Sequence, residues 1–153
     1  MNVKIIQLNK EKFEEAVEVV LQAGLDTREE IEGHLKHMGA HYVALDKDKV
    51  VGVIGWYQDN VNYASDAMGE KFPGEEAYWV GFCAVLKEYR GKGVGYGLMN
   101  KLVEVLKNKK ADKVWVASVP ESRRYYERQG FKLFMKGEIR EKDRYFLVRE
   151  IPR

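Results

Sequence analysis

Several things that the sequence lacks narrow the class of protein. Cysteine occurs once, as Cys83, which excludes an internal disulfide and a metal site built from several cysteines. The longest apolar run, Tyr78 to Leu86, is far shorter than the roughly 20 residues that a membrane-spanning helix needs. The N-terminal stretch MNVKIIQLNKEKFEE has neither the basic segment nor the apolar segment of a secretion signal. We therefore expect a cytoplasmic protein without a membrane partner.

An excess of charge of one sign is also missing. The chain carries 26 Lys and Arg residues against 24 Asp and Glu residues, a formal net charge of +2. Binding to nucleic acid relies on cationic side chains that neutralise phosphates, so this balance gives little drive toward DNA or RNA. Acids are interleaved with the basic residues around KNKKADK and SRRYYER. A nucleic-acid-binding module is therefore the disfavoured interpretation.

What is present is the pattern of one mixed α/β domain, which we expect to span residues 1–153. Apolar periodicity predicts a strand, two helices, a hairpin around Asp46 to Lys49, and a strand buried on both faces in AYWVGFCAVL. A helix, a strand, a short helix and a final strand pair follow. Between the hairpin and the buried strand, Asp59 to Glu76 is polar and longer than most connections. Such length predicts a functional loop.

Glycine is concentrated in the stretch EYRGKGVGYGLMNKL, Glu88 to Leu102, between the buried strand and the following helix. The spacing fits neither the G-x-x-x-x-G-K-[ST] phosphate loop nor the G-x-G-x-x-G dinucleotide fingerprint. Glycine lets the backbone approach a ligand closely, and a helix start presents N–H groups without intrahelical acceptors to an anion. The stretch therefore predicts an anion cradle, with a plain strand-to-helix turn as the alternative.

The same stretch resembles the acetyl-CoA signature of the GCN5-related N-acetyltransferases, R/Q-x-x-G-x-G/A, with Arg90, Gly93 and Gly95 on the defining positions. Downstream, YYERQGF is similar to the YExxGF helix end of that family. The order of elements is similar over nearly the whole chain. The resemblance implies an α/β (α+β) single-domain GNAT-like fold: a mixed central sheet of about seven strands with four helices, in which strands 4 and 5 splay apart.

The resemblance also implies an activity. An acetyl group would pass from acetyl-CoA, the co-substrate, to a primary amine by direct attack in a ternary complex, without a metal. The acceptor would be a small-molecule, peptide or protein amine, and a homodimer is the default oligomeric state. The pantetheine arm would pair with Cys83, Ala84 and Val85. The pyrophosphate would be bound by Arg90, Gly91, Lys92, Gly93, Val94, Gly95 and Tyr96.

Tyr126 matches the tyrosine that protonates the departing thiolate in many relatives. A phenol with a pKa of about 10 is a weaker acid than a thiol at about 8.5, so this role needs surroundings that favour the phenolate. Arg123, three residues earlier on the same helix face, is a candidate for that effect. The alternative is that Tyr126 only packs. Cys83 has no histidine near it in sequence to activate it, which favours a small buried hydrophobe over a nucleophile.

The general base is less defined. Some histone-type relatives carry a glutamate on the buried strand, but Tyr78, Trp79 and Val80 stand there. A water chain would serve instead, or an acid of the polar loop: Asp59, Asp66, Glu70, Glu75 or Glu76. Solvated surface is the alternative for these acids.

Three further features bear on function. His34 and His37 lack the spacing of a metal motif, which favours surface histidines. Val119 replaces an asparagine common among enzymes that acetylate ribosomal-protein N-termini, which weakens that analogy. The alternative function from another class is a non-catalytic acyl-CoA-binding sensor.

Overall fold

The fold is a single mixed sheet with helices, seen in a computed structural model that describes residues 2–58 and 63–153. The strands are β1 (Val3–Gln7), β2 (His41–Asp46), β3 (Lys49–Gln58), β4 (Tyr78–Val85), β5 (Lys113–Ser118), β6 (Lys132–Ile139) and β7 (Lys142–Glu150). The α-helices are α1 (Phe13–Gln22), α2 (Arg28–Leu35), α3 (Tyr63–Met68), α4 (Val94–Asn108) and α5 (Arg123–Arg128). The predicted order of strands is confirmed.

The sheet order is β1-β2-β3-β4-β5-β7-β6. Strands β1 to β3 pair antiparallel, as do β5, β7 and β6, whereas β4 and β5 pair in parallel. In the described chain, the β4–β5 ladder consists of the pairs Tyr78–Val114 and Trp79–Trp115, although both strands continue beyond them. Pairing between β4 and β5 is therefore limited to these two register pairs, which is the pairing expected of strands that splay.

Helix α3 and the 3₁₀ turn Gly69–Lys71 lie where the sequence predicted a polar loop, so the described chain has five α-helices rather than four. The loop prediction was wrong for residues 63–71 because polar composition concealed an apolar pair at i, i+4. Ala64 and Met68 are 1% and 4% exposed and pack with Trp79. Asp59, one of the candidate bases, lies outside the described residues.

The chain divides into two compact units. The first comprises Met1–Trp56 and Gly81–Leu102. In it, α1 and α2 bury the apolar stripes that their periodicity predicts, including Val17, Val20, Ile31 and Leu35. The side chain of Thr27 caps α2 by accepting a hydrogen bond from the Glu30 amide at 3.3 Å, as the capping-box spacing predicts.

The second unit comprises Tyr57–Val80 and Val103–Arg153, and its core is aromatic. Trp79 is fully buried there. Its ring centroid lies 5.9–6.5 Å from those of Tyr57, Phe72, Trp115 and Phe146. This packing explains why β4 carries bulky rings rather than a carboxylate at its start. No helix in the described ranges is long and apolar enough to cross a membrane.

Candidate active site

The glycine-rich stretch forms a tight connection from β4 to α4. A 3₁₀ turn at Lys87–Tyr89 follows the strand, and α4 begins at Val94. Between them, Gly91 and Gly93 have φ angles of +75° and +85°. Side-chain-bearing residues adopt this left-handed region at a steric cost, so these two positions favour glycine for the turn itself. We call the segment Arg90–Tyr96 the cradle.

Backbone donors converge at the start of α4. The Gly97 amide donates to the Gly93 carbonyl at 3.0 Å, which is the first i→i−4 bond of the helix. The amides of Val94, Gly95 and Tyr96 precede that bond and have no acceptor within the helix. The helix dipole adds a partial positive charge at the same end. The arrangement is suited to an anion.

Arg90 is engaged at the entrance of the cradle. Its amide donates to the Lys87 carbonyl at 3.2 Å, and its guanidinium Nε donates to the Val85 carbonyl at 3.1 Å. The Arg90 amide is therefore used within the turn, and the exposed guanidinium is the group that this residue can offer to an anion. The same guanidinium joins the cradle to the end of β4.

The strand predicted to hold the pantetheine arm leads directly into the cradle. Ala84 is 3% exposed, whereas Cys83 and Val85 are half-buried. Earlier on the same strand, Phe82 contacts the His34 ring edge-on, with centroids 5.2 Å apart. The described residues include no group of three or more His, Cys, Asp and Glu side chains able to hold a metal ion.

Gly52 of β3 lies under the cradle, and sequence reasoning missed it. A Cβ at this position would lie 2.8 Å from Leu98 Cδ1, 3.1 Å from Val94 Cγ1 and 3.3 Å from the Ala84 carbonyl oxygen. The absence of a side chain therefore lets the first turns of α4 rest on the sheet beside β4. A glycine inside a strand pattern often marks such a close approach, and this was the available signal.

Tyr126 lies in a helix end that has a defined motif. The Phe131 amide donates to the Tyr126 carbonyl at 3.1 Å, and the Gly130 amide donates to the Glu127 carbonyl at 3.1 Å. Gly130 has φ +92°, and the Tyr126 and Phe131 rings contact with centroids 5.5 Å apart. These bonds and this contact define a Schellman motif. The YExxGF pattern is thus a helix C-cap that holds the Tyr126 ring against Phe131.

The surroundings of Tyr126 are mainly aromatic. The side chain is 7% exposed, and the Tyr125 ring meets it edge-on at 5.2 Å. Arg123 contacts Glu127, with Nε to Oε1 at 3.6 Å, and its guanidinium lies 4.6 Å from the centre of the Tyr145 ring. These contacts direct Arg123 toward β7. Its predicted effect on Tyr126 stays a prediction.

The candidate bases within the described residues are all surface groups. Asp66 is on α3, Glu70 is in the following 3₁₀ turn, and Glu75 and Glu76 precede β4. Each of the four is exposed to solvent. Because all four are exposed, none of the candidate bases that the structure describes is a buried carboxylate. At the start of β4, the buried Nε1 of Trp79 has no hydrogen-bond partner in the described chain.

Comparison with known proteins now identifies the family. Residues 4–131 match the profile of the acetyltransferase (GNAT) family. The chain belongs to that family. The match includes β1 to α5, the cradle and the Schellman motif of Tyr126, so every predicted site residue lies inside the region that defines the GNAT family.

The chain is also similar to individual known proteins. It is 29% identical over 93 residues to N-alpha-acetyltransferase 30 of Schizosaccharomyces pombe, covering 59% of this chain and 55% of that protein. The chain thus spans about half the length of that relative. The crystal structure of Ard1 from Thermoplasma volcanium matches with a TM-score of 0.79 and 15% identity over 100% of both chains.

A second solved structure is that of the NatC complex bound to Gag peptide and CoA. Its matching chain has a TM-score of 0.75 and 18% identity, over 99% of this chain and 100% of its own. At such identities the two structural matches show the GNAT fold.

Proposed function

We propose that this GNAT protein is an acetyl-CoA-dependent N-acetyltransferase, in which a primary amine attacks the thioester directly in a ternary complex. The observation that carries the proposal is the cradle: three helix-start amides, two left-handed glycines and the cations Arg90 and Lys92, all within the family segment. Backbone N–H groups at a helix start suit the diphosphate of CoA.

Open space beside two glycines of the cradle supports access of a diphosphate to the backbone. A Cβ at Gly91 or at Gly93 would have no protein atom within 4 Å, so the surface there is formed by backbone that an anion can reach. The arm of the bound co-substrate would continue along Cys83, Ala84 and Val85. A backbone N–H of this strand would then polarise the thioester carbonyl and stabilise the developing oxyanion.

The proposed reaction balances with one base and one acid. The amine nitrogen forms a bond to the carbonyl carbon, the C–S bond breaks, and the amine proton leaves to water. Because the described acids are exposed, we assign the base role to solvent rather than to one of them. The Tyr126 hydroxyl gives its proton to the thiolate, and solvent then reprotonates the resulting phenolate. The Schellman motif would hold the Tyr126 ring in place for this transfer.

The acceptor class that the comparisons favour is the amine of a peptide or protein. N-alpha-acetyltransferase 30 is the relative that shares 29% identity, and the NatC structure contains a peptide. A small-molecule amine is the competing acceptor, and an acyl-CoA sensor is the competing function. A cytoplasmic location and a homodimer also stay predictions.

The test measures free thiol released from acetyl-CoA in the presence of short peptides with free N-termini, the same peptides acetylated at the N-terminus, and small amines. We expect release with the free peptides and none with the blocked ones. Tight acetyl-CoA binding without turnover on any amine would support the sensor instead.

The variant Tyr126→Phe distinguishes a role of Tyr126 in proton transfer from a role in binding acetyl-CoA. We expect kcat to fall by about 10²- to 10⁴-fold, the usual contribution of a positioned acid, while the affinity for acetyl-CoA stays the same. Tyr125→Phe, which removes the hydroxyl of the neighbouring ring, is the matched control. Unchanged turnover by Tyr126→Phe would show that Tyr126 only packs.

A further inference from the structure

Strand β6 lies at one end of the sheet, and among the described strands β7 is its only neighbour. An edge strand carries backbone N–H and C=O groups that point away from the sheet, and a strand of another molecule can pair with them. Leu133 and Phe134 of β6 are 42% and 43% exposed, although both side chains are large and apolar. This edge therefore offers backbone donors and acceptors together with apolar surface.

A β-bulge divides β6 into two parts. The register with β7 shifts between Leu133 and Met135, so Phe134 is an extra residue on this strand. The Phe134 ring contacts the Trp115 ring edge-on, with centroids 5.0 Å apart. From Met135 to Ile139 the pairing with β7 is regular. These five residues, which we call the edge segment, are therefore the part of β6 that suits a regular antiparallel partner.

The edge segment alternates between a charged face and an apolar face. Lys136 and Glu138 are exposed on the first face. Met135, Gly137 and Ile139 are half-buried on the second, where the side chains of Met135 and Ile139 pack against the aromatic core of this unit. Successive side chains of a strand point to opposite faces, so any partner strand must bring charge to the first face and apolar side chains to the second.

The edge segment is complementary to itself in the antiparallel direction. A second copy related by a two-fold axis at Gly137 would place Lys136 of each chain opposite Glu138 of the other, on the charged face. On the apolar face, Met135 would lie opposite Ile139. Opposite charges and apolar side chains stabilise antiparallel strands when they lie directly opposite each other. An axis at Lys136 or at Glu138 would instead set like charges opposite each other, so the sequence favours the register about Gly137.

We propose that the edge segments of two copies of this chain pair antiparallel about Gly137 and form a two-fold symmetric homodimer with a continuous sheet. Because both copies contribute the same edge, the assembly closes at two chains and covers the β6 edge of each. The proposal assigns an interface to the predicted homodimer. It is independent of the proposed acetyl transfer, since no residue of the edge segment belongs to the cradle or to the helix end that carries Tyr126.

The experiment is sedimentation equilibrium of the full chain at low ionic strength, where exposed charge pairs are least screened. We expect the wild type to dimerise reversibly. Lys136→Glu should raise the Kd of the dimer about tenfold, because two cross-strand pairs change from attraction to repulsion. Glu138→Lys should have a similar effect for the same reason. The double variant with both changes restores opposite charges at the two pairs and should recover the wild-type Kd.

A mixture of the two single variants distinguishes pairing between chains from an effect within one chain. Lys136 also contacts Asp143 of its own chain, with Nζ to Oδ2 at 3.9 Å, and Lys136→Glu removes that contact as well. In the mixture, one chain carries two acids in the edge segment and the other carries two lysines, so their heterodimer has attractive pairs again. We expect the mixture to contain more dimer than either variant alone at the same total concentration.

Lys4→Glu is the matched control, because Lys4 is an exposed lysine on β1, the strand at the other end of the sheet order. It should leave the Kd of the dimer unchanged. A wild type that stays monomeric up to its highest soluble concentration would overturn the homodimer. Dimerisation that neither single variant weakens, or that the double variant fails to restore, would overturn the pairing of the edge segments.

Discussion

At the scale of single residues, the candidate site depends on backbone conformation more than on side-chain chemistry. Gly93 combines a φ of +85° with a carbonyl that accepts the first hydrogen bond of α4. A β-branched residue is poorly tolerated in this region of backbone space. A change at Gly93 would therefore alter the direction of the helix-start amides rather than create a clash, because a Cβ there meets no atom within 4 Å.

We expect Gly93→Val to abolish most of the thermal stabilisation that CoA provides. Gly24→Val is the matched control, because Gly24 follows α1, has φ +72°, and a Cβ added there would also meet no atom within 4 Å. Both variants should lose about 1 kcal/mol or more of stability from backbone strain. Differential scanning fluorimetry with and without CoA then distinguishes them. A CoA shift that survives Gly93→Val would contradict the cradle.

At the scale of elements, the seating of α4 on the sheet depends on Gly52 in β3. Leu98 and Val94 of the helix occupy the space that a side chain at position 52 would need. Leu98 is fully buried and Val94 is 4% exposed, so neither can move outward without opening the core. The position of the helix-start amides is thus set by a residue of a different element.

Gly52→Ala should force α4 to shift and should cost about 1–3 kcal/mol, the usual range for overpacking a core. CoA affinity should fall as well, because the amides of Val94 and Gly95 move with the helix. The double variant Gly52→Ala with Leu98→Val removes one methylene from the crowded side and should recover part of both losses. Chemical denaturation and CoA titration give the two readouts. An unchanged CoA affinity in Gly52→Ala would refute this account of the cradle.

At the scale of the whole molecule, a buried histidine makes stability depend on pH. His41 is 4% exposed, its Nδ1–H donates to the His37 carbonyl at 2.8 Å, and its ring lies against Gly55. Burial lowers the pKa of His41 from 6.5 to about 4; the hydrogen bond to the His37 carbonyl opposes this shift, and the nearby charges of His34 and His37 add to it. Neutral His41 therefore supports the fold fully above pH 6.5, and this contribution is lost as the pH falls toward 4.

The free energy of unfolding should decrease by about 3 kcal/mol between pH 7.5 and pH 4 through His41 alone, since each pKa unit corresponds to about 1.4 kcal/mol. His41→Asn keeps a donor for the His37 carbonyl but does not titrate in this range. Urea denaturation at several pH values should give a shallower pH dependence for the variant than for the wild type. If the free energy of unfolding changed with pH equally in the two proteins, His41 would be excluded as the source of the pH dependence.

The sequence by itself determined the features that depend on neighbouring residues. The glycine spacing before an apolar helix determined the turn of the cradle, and the residues from Tyr126 to Phe131 determined the C-cap of α5. Both depend on dihedral preferences and hydrogen bonds that act over a few positions. Tertiary structure alone decided the rest. Helix α3 became visible once Ala64 and Met68 were seen packed on Trp79. The hydrogen bond from the Tyr89 hydroxyl to the Asp46 carboxylate depends on sheet register across 43 residues, which no local pattern encodes.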